Sequence, residues 1–222
     1  MKILSIRSAR SIWLVPSTFL NPNGKYLRPS LPGLVERYKF ERLPPPGTSE
    51  IEKDGLKFES GAFTAADGTQ IALNFTIHAD GLVVESRSST ANNDAFLTEV
   101  LAWVSSAHGT PSPAELPIRR IYASEIMFGL DAAPRIFNNE FEKFCALVSE
   151  TLGTERSGPL GFAALGLGAD PQKVNQPPGF RFEREAGASF DENRFYSFAP
   201  CETSVHLKLL RALTESATGP RA

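Results

Sequence analysis

Cysteine is scarce in this sequence: Cys145 and Cys201 are the only two, and neither belongs to a C-x-x-C pair. Two thiols cannot build a disulfide framework, so the chain is expected to fold on its own core in a reducing, cytoplasmic setting. Histidine is nearly as rare. His78, His108 and His206 lie far apart, and none has a cysteine or a second histidine within a helical turn. Metal-ligand spacing is missing, so no metal is expected, and no other cofactor either. No run of about 18 apolar residues occurs, which leaves no helical membrane span. Arg7, Arg10 and Pro16 interrupt the N-terminal apolar residues, so this stretch does not read as a cleaved signal peptide.

Charge of one sign is lacking too. The net charge is −2 and the pI near 6, which leaves no global positive field to gather phosphates and disfavours nucleic acid as a partner. Residues 1–60 lean basic, but that excess is spread among prolines and apolar residues and reads as an ordinary solvated surface. Catalytic signatures are absent as well: there is no Gly-x-Ser-x-Gly elbow, no Ser-x-x-Lys and no Walker A loop. Gly161 to Asp170 has the look of a dinucleotide loop, but the third glycine position is Pro171, so a strand with glycines for close packing fits better. Cys145, beside Phe144 in an apolar stretch, reads as inert packing. Arg87 to Asp94 places hydroxyls and amides before a helix. The Asp94 carboxylate would occupy the place of an anion there, so a polar turn and cap is the preferred reading.

What the sequence has is phenylalanine, 16 copies, and clear periodicity. Ile71, Leu73, Phe75 and Ile77 alternate with Ala72, Asn74, Thr76 and His78, the period of a half-buried strand. Asp67-Gly68 and Asp80-Gly81 flank it as turn dipeptides offering positive φ. Three antiparallel strands follow, within about 56–87. Helices are predicted over about 93–107, with Asn92 or Asn93 as cap and Gly109 as stop, over 138–152, ending at Gly153, and over 203–214, capped by Thr203. The second should bury Phe137, Phe141, Phe144, Val148 and Leu152, and the third Val205, Leu209 and Leu213. A strand is expected from Ile118 to Phe128 and a hairpin from Phe180–Arg184 to Arg194–Phe198. No period of 20–50 residues recurs. Strands in runs, with helices after them, indicate an α+β fold on an antiparallel or mixed sheet, with the three-stranded meander at its centre and helices behind.

Prolines 16, 22, 29 and 32 argue against long regular elements near the start, leaving one strand at Ser11 to Val15 and a short helix at Leu34 to Phe40. The chain therefore divides into an irregular arm or cover, 1–47, ending in the stiff Pro44-Pro45-Pro46-Gly47 linker, an α+β domain, 48–216, and a loose tail, 217–222.

The densest polar region is the second hairpin. Arg181, Glu183, Arg184, Asn193, Arg194 and Tyr196 interleave there with Phe180, Phe182, Phe190 and Phe195, and arginine beside aromatic rings is the composition that binding surfaces favour. Arg184 shares the Phe180 and Phe182 side and needs a partner on it. These residues are the candidate site, weighed against a ladder of solvated ion pairs. Together these features favour a non-catalytic interaction or assembly protein whose partner is a polypeptide, itself or another chain, engaged through the sheet surface and the N-terminal arm. The alternative is a ligand-binding protein or enzyme with an Arg/Glu-lined pocket near 181–196.

Overall fold

Alternating apolar residues set the sheet, and a computed structural model describes how it is laid out over residues 1–20, 27–44, 55–131, 139–151, 162–168, 170 and 179–218. The proline linker at 45–47, the helix stop at 153, Gly161, the Pro/Gly loop at 171–178 and the end of the tail, 219–222, lie outside the described residues. The elements run β1 (Lys2–Leu14), α1 (Ser17–Leu20), α2 (Leu27–Tyr38), β2 (Leu56–Thr64), β3 (Gln70–His78), β4 (Gly81–Ser86), α3 (Thr90–His108), β5 (Arg119–Gly129), α4 (Asn139–Thr151), β6 (Ala164–Leu167), β7 (Phe180–Arg184), β8 (Arg194–Ala199) and α5 (Thr203–Thr218). This is an α+β protein, with antiparallel pairing of β1 with β4, β2 with β3, β3 with β4, β6 with β7 and β7 with β8. Among the described residues no helix is long and apolar enough to cross a membrane.

The chain forms two compact units, and β1 and β5 have residues in both. The N-terminal unit, Ile6–Ser124 with Pro200–Thr203, has strand order β2-β3-β4-β1. The meander β2-β3-β4 is present as expected. It is not central: β2 is an outer strand, and its free edge is met by the main chain of Glu41 and Arg42, which bonds Glu59. The core face of the meander carries Phe58, Leu73, Phe75, Ile77 and Val84, and α3 packs Phe96 and Leu97 into the same cluster. Gly68 adopts the expected positive φ, +85°. Gly81 does not. It is needed because a Cβ there would come within 2.5 Å of the Trp13 carbonyl oxygen on the neighbouring strand.

The opening residues are more regular than their prolines predict. β1 runs for 13 residues rather than from Ser11 alone, and α2 passes through Pro29 and Pro32. Pro29 falls in the first turn, where a missing N–H costs nothing, and the helix is anchored by burial of Leu34 and Tyr38 in the core. Helix α3 also begins earlier than expected. Ser89, not Asn92 or Asn93, is its cap, accepting from the Asn92 N–H, and Gly109 ends it at φ +70°.

The C-terminal unit, Met1–Ser5 with Glu125–Ala199 and Ser204–Ala222, has strand order β5-β8-β7-β6 and its own cluster of Ile126, Phe128, Phe182, Phe195 and Leu210. The Phe182 and Phe195 rings stack at 4.9 Å. Both units therefore read strand, helical segment, three-stranded meander, helix, with matching strand order, the helical segment being α1 and α2 in the first and α4 in the second. The helical positions 90, 93, 97 and 101 of α3 recur as 203, 206, 210 and 214 of α5, and all eight residues are buried. Identity at these positions is retained only at Thr90/Thr203 and Leu97/Leu210, and the period exceeds 100 residues.

Two predicted stripes are corrected. In α5 the inward residues are His206, Leu210 and Thr214, whereas Val205 and Leu209 are exposed at 39% and 47%. In α4 Phe144 and Leu147 are more than half exposed, and the Cys145 thiol is only partly covered. Phe137 and Leu152 lie outside the described residues.

Candidate functional site

The hairpin β7–β8 places the predicted site residues on two faces. Arg181 lies opposite Phe198 and Glu183 opposite Tyr196, so these four share the outer face, while Arg184 lies opposite Phe195 on the core side. The partner that Arg184 needs is main chain and ring: its Nε donates to the Phe162 carbonyl at 2.8 Å, NH1 donates to that of Phe190 at 3.1 Å, and the guanidinium sits 4.2 Å over the Phe190 ring. Burial lowers its pKa from the ordinary arginine value.

Arg194 is engaged within the same hairpin. Its Nε lies 2.7 Å from Glu185 Oε2 and its NH1 3.5 Å from Glu192 Oε2. The short Nε contact is a close ion pair whose angle is poor for a hydrogen bond. Asn193 closes the turn Phe190–Glu192 in the left-handed region, φ +46°, a conformation asparagine tolerates, and its carbonyl accepts from the Leu130 N–H. Glu192 accepts from the Ser189 N–H, which holds its carboxyl below the usual range. Of the six predicted residues, Arg184, Asn193 and Arg194 therefore brace the loop, and Arg181, Glu183 and Tyr196 face outward.

Sequence reading missed Glu125 of β5. It hydrogen-bonds the Tyr196 phenol, and alternation from buried Ser124 and Ile126 is the signal that places it on the outer face. Burial, reinforced by Glu125, pushes the Tyr196 pKa up to about 12. The same arrangement occurs twice in the N-terminal unit. Tyr122 donates to Asp94 Oδ2 at 2.7 Å, and Asp94 Oδ1 accepts from Trp13 Nε1 at 2.9 Å, with Arg120 4.5 Å over the indole. Tyr38 donates to Glu99 Oε1 at 3.0 Å, which Arg37 also reaches. Burial raises both phenols to about 12. Asp94 is thus turned toward Trp13 and Tyr122, not toward the amides at the start of α3 as the sequence reading supposed. The turn before α3 is still closed by its own polar groups.

Buried polar residues of the two helices are bonded in parallel fashion. Thr90 N–H donates to Thr203 Oγ1 and Thr203 N–H to Thr90 Oγ1, each at 3.1 Å. Asn93 pairs with Ser86, and His206 is fully buried with Nε2 2.9 Å from Ser197 Oγ.

These phenols give a direct check. With folded pKa values raised above the unfolded value near 10, the unfolded state loses its protons first. Stability is complete below about pH 10 and is lost as pH rises through about 12. Absorbance titration at the phenolate band should show most of the four tyrosines ionising late and together with alkaline unfolding. Ionisation of all of them near 10 in the folded protein would contradict the burial described.

No family model matches the sequence, and no curated protein matches it significantly.

Proposed function

We propose that this chain is a protein-interaction or assembly component whose partner is a polypeptide, engaged through apolar side chains of the C-terminal unit. The observation that carries the reading is the inverted helix α5. Its buried row holds Thr203, His206 and Thr214 beside Leu210, while Val205 and Leu209, one turn apart, point to solvent. Exposing two such anchors while threonine and histidine occupy the interior is unfavourable for an isolated helix, and it is the pattern of a helix that presents its apolar row to a groove on another chain. Leu147 and Leu167 of the same unit are exposed by more than half, which adds apolar surface. The poise of the titratable groups supports binding over acid–base chemistry: the three phenols sit near 12, and burial raises the Cys201 thiol, whereas a general base is best placed near the working pH.

The test is the native mass of the purified protein over a range of concentrations, for the wild type and for Val205→Lys with Leu209→Glu. The wild type is expected to self-associate or to retain a polypeptide. The double variant should weaken that association roughly tenfold to a hundredfold, about the effect of losing two apolar anchors, with its thermal midpoint nearly unchanged. A wild type that stays monomeric and alone at tens of micromolar, about the range of weak functional contacts, would overturn the reading.

A further inference from the structure

Strand β4 stops at Ser86, where the chain turns away into α3, but its neighbours do not stop there. On one side β3 pairs with β4 only from Leu73 to His78, and Gln70, Ile71 and Ala72 continue beyond it, held by β2 alone. On the other side β1 pairs with β4 only from Ala9 to Leu14 and extends past it to Arg7 and further. The departure of β4 opens a notch in the outer face of the N-terminal unit, a cavity of about 880 Å³. That volume is in the range of small-molecule sites, which run from about 300 to 1,000 Å³.

The lining of the notch has a definite polarity. Arg7 and Arg87 stand at the end where β4 leaves, together with Ser88. Both arginines are exposed, and among the described residues neither has an ion-pair or hydrogen-bond partner. Ala62 and Ala72, directly paired across β2 and β3, make a small, flat floor. The Glu85 carboxylate in the lining is already neutralised, with Oε2 held by Arg10 at 2.6 Å and Oε1 accepting from Ser8 Oγ at 2.9 Å. Asn74 uses its Oδ1 for the Ser60 N–H, which leaves its amide donors for a ligand. The remaining carboxylate, Glu41, lies on the segment that meets the free edge of β2, three strand spacings or about 14 Å from β4.

The geometry points to the notch as a binding site for a small molecule carrying a carboxylate or phosphate group, with Arg7 and Arg87 as the oxyanion-binding residues. Guanidinium forms paired, planar hydrogen bonds to either oxyanion, and two free ones at the same end of a concave site are complementary to it. Glu41 at the other end repels a second anionic group, so the ligand is compact and singly anionic at the arginine end rather than an extended polyanion. The site shares no residue with the α5 surface, so neither reading depends on the other.

The probes are inorganic phosphate and acetate, each titrated into the 15N-labelled full chain at constant ionic strength, with chloride as the balancing ion. Saturable amide shifts confined to the segments around Ala62, Ala72 and Ser88 are expected with at least one probe. Response to phosphate alone assigns a phosphate-bearing ligand, and response to acetate alone a carboxylate-bearing one. Arg7→Gln with Arg87→Gln should weaken binding tenfold or more. Ala72→Gln, which fills the floor without changing charge, should do the same, and Arg211→Gln on α5 should leave it unchanged. Because Arg7, Arg87 and Ala72 are exposed, all variants should keep the wild-type thermal midpoint. Unsaturable shifts spread over the chain with both probes, or equal affinity in the double arginine variant, would overturn the assignment.

Discussion

Replacing Phe96 by alanine is expected to lower the free energy of unfolding by about 3–5 kcal/mol, the range for a large aromatic removed from a close-packed core. The ring is fully buried and sits where three elements converge: its centroid is 4.9 Å from Tyr38 on α2, 5.7 Å from Phe63 on β2 and 5.5 Å from Phe75 on β3, all edge-on. Alanine loses the transfer free energy of the ring and leaves a void that three aromatic neighbours, fixed on separate elements, cannot jointly fill. Edge-to-face pairing adds a further contribution beyond area. For a chain of this size each kcal/mol moves the thermal midpoint by about 2–4 °C, so a fall of roughly 6–20 °C should appear in a thermal scan, with a matching shift in a urea titration. Loss of less than about 1 kcal/mol would show that the three contacts do not depend on this side chain.

Asn93→Leu should cost almost as much by a different route. The two side chains are similar in size, so no cavity is made, but the Asn93 amide closes the junction at which β4 leaves the sheet. It accepts from Ser86 Oγ at 2.7 Å and donates to the carbonyl of Ala9 on β1 at 2.8 Å and, more weakly, to that of Val84 at 3.4 Å. The residue is almost fully buried, so leucine strands a hydroxyl and a carbonyl with no access to water. Each stranded group costs about 1–3 kcal/mol, giving an expected loss of roughly 2–6 kcal/mol by urea titration. Asn92→Ala, one position away, removes a partly buried bond to Ser88 and should cost less than about 1 kcal/mol. Equal effects at 92 and 93 would mean that the buried amide is not what secures the junction.

The meander was legible because Ile71 to Ile77 alternate without a fault, and a strand with one wet and one dry side has a single way to lie. The same logic carried the second hairpin, and with it the side of Arg184, though not its carbonyl partners, which come from residues 6 and 22 positions away. The helices were harder. Val205, Leu209 and Leu213 form a fair apolar row, but so do the positions 206, 210 and 214 one step along, and local periodicity has no preference between them when the second row contains histidine and threonine. Within the C-terminal unit the rotation of α5 is fixed instead by the packing of Leu210 into the cluster of Phe128, Phe182 and Phe195 and by the contact of His206 with Ser197 on β8. Proline misled for a related reason: α2 takes Pro29 in its first turn, where no N–H bond is lost, and carries Pro32 in its interior at the cost of one such bond, because core contacts of Leu34 and Tyr38 hold the helix.

The candidate sites divide the same way. Alternation alone set Arg181 and Glu183 on the face opposite to Arg184, and composition marked the scarcity of cysteine, histidine and catalytic motifs; that Tyr196 shares the face of Arg181 and Glu183 came from the cross-strand register. The pairing of Tyr196 with Glu125, the apolar row turned outward on α5 and the notch beside β4 came only from tertiary structure. The α+β class with its antiparallel hairpins was determined by local pattern, since side-chain period depends only on neighbours along the chain. Which face each helix turned inward, and where one strand ended while its neighbours continued, depended on the register of segments far apart in sequence, and register is set by the collective burial of all of them at once.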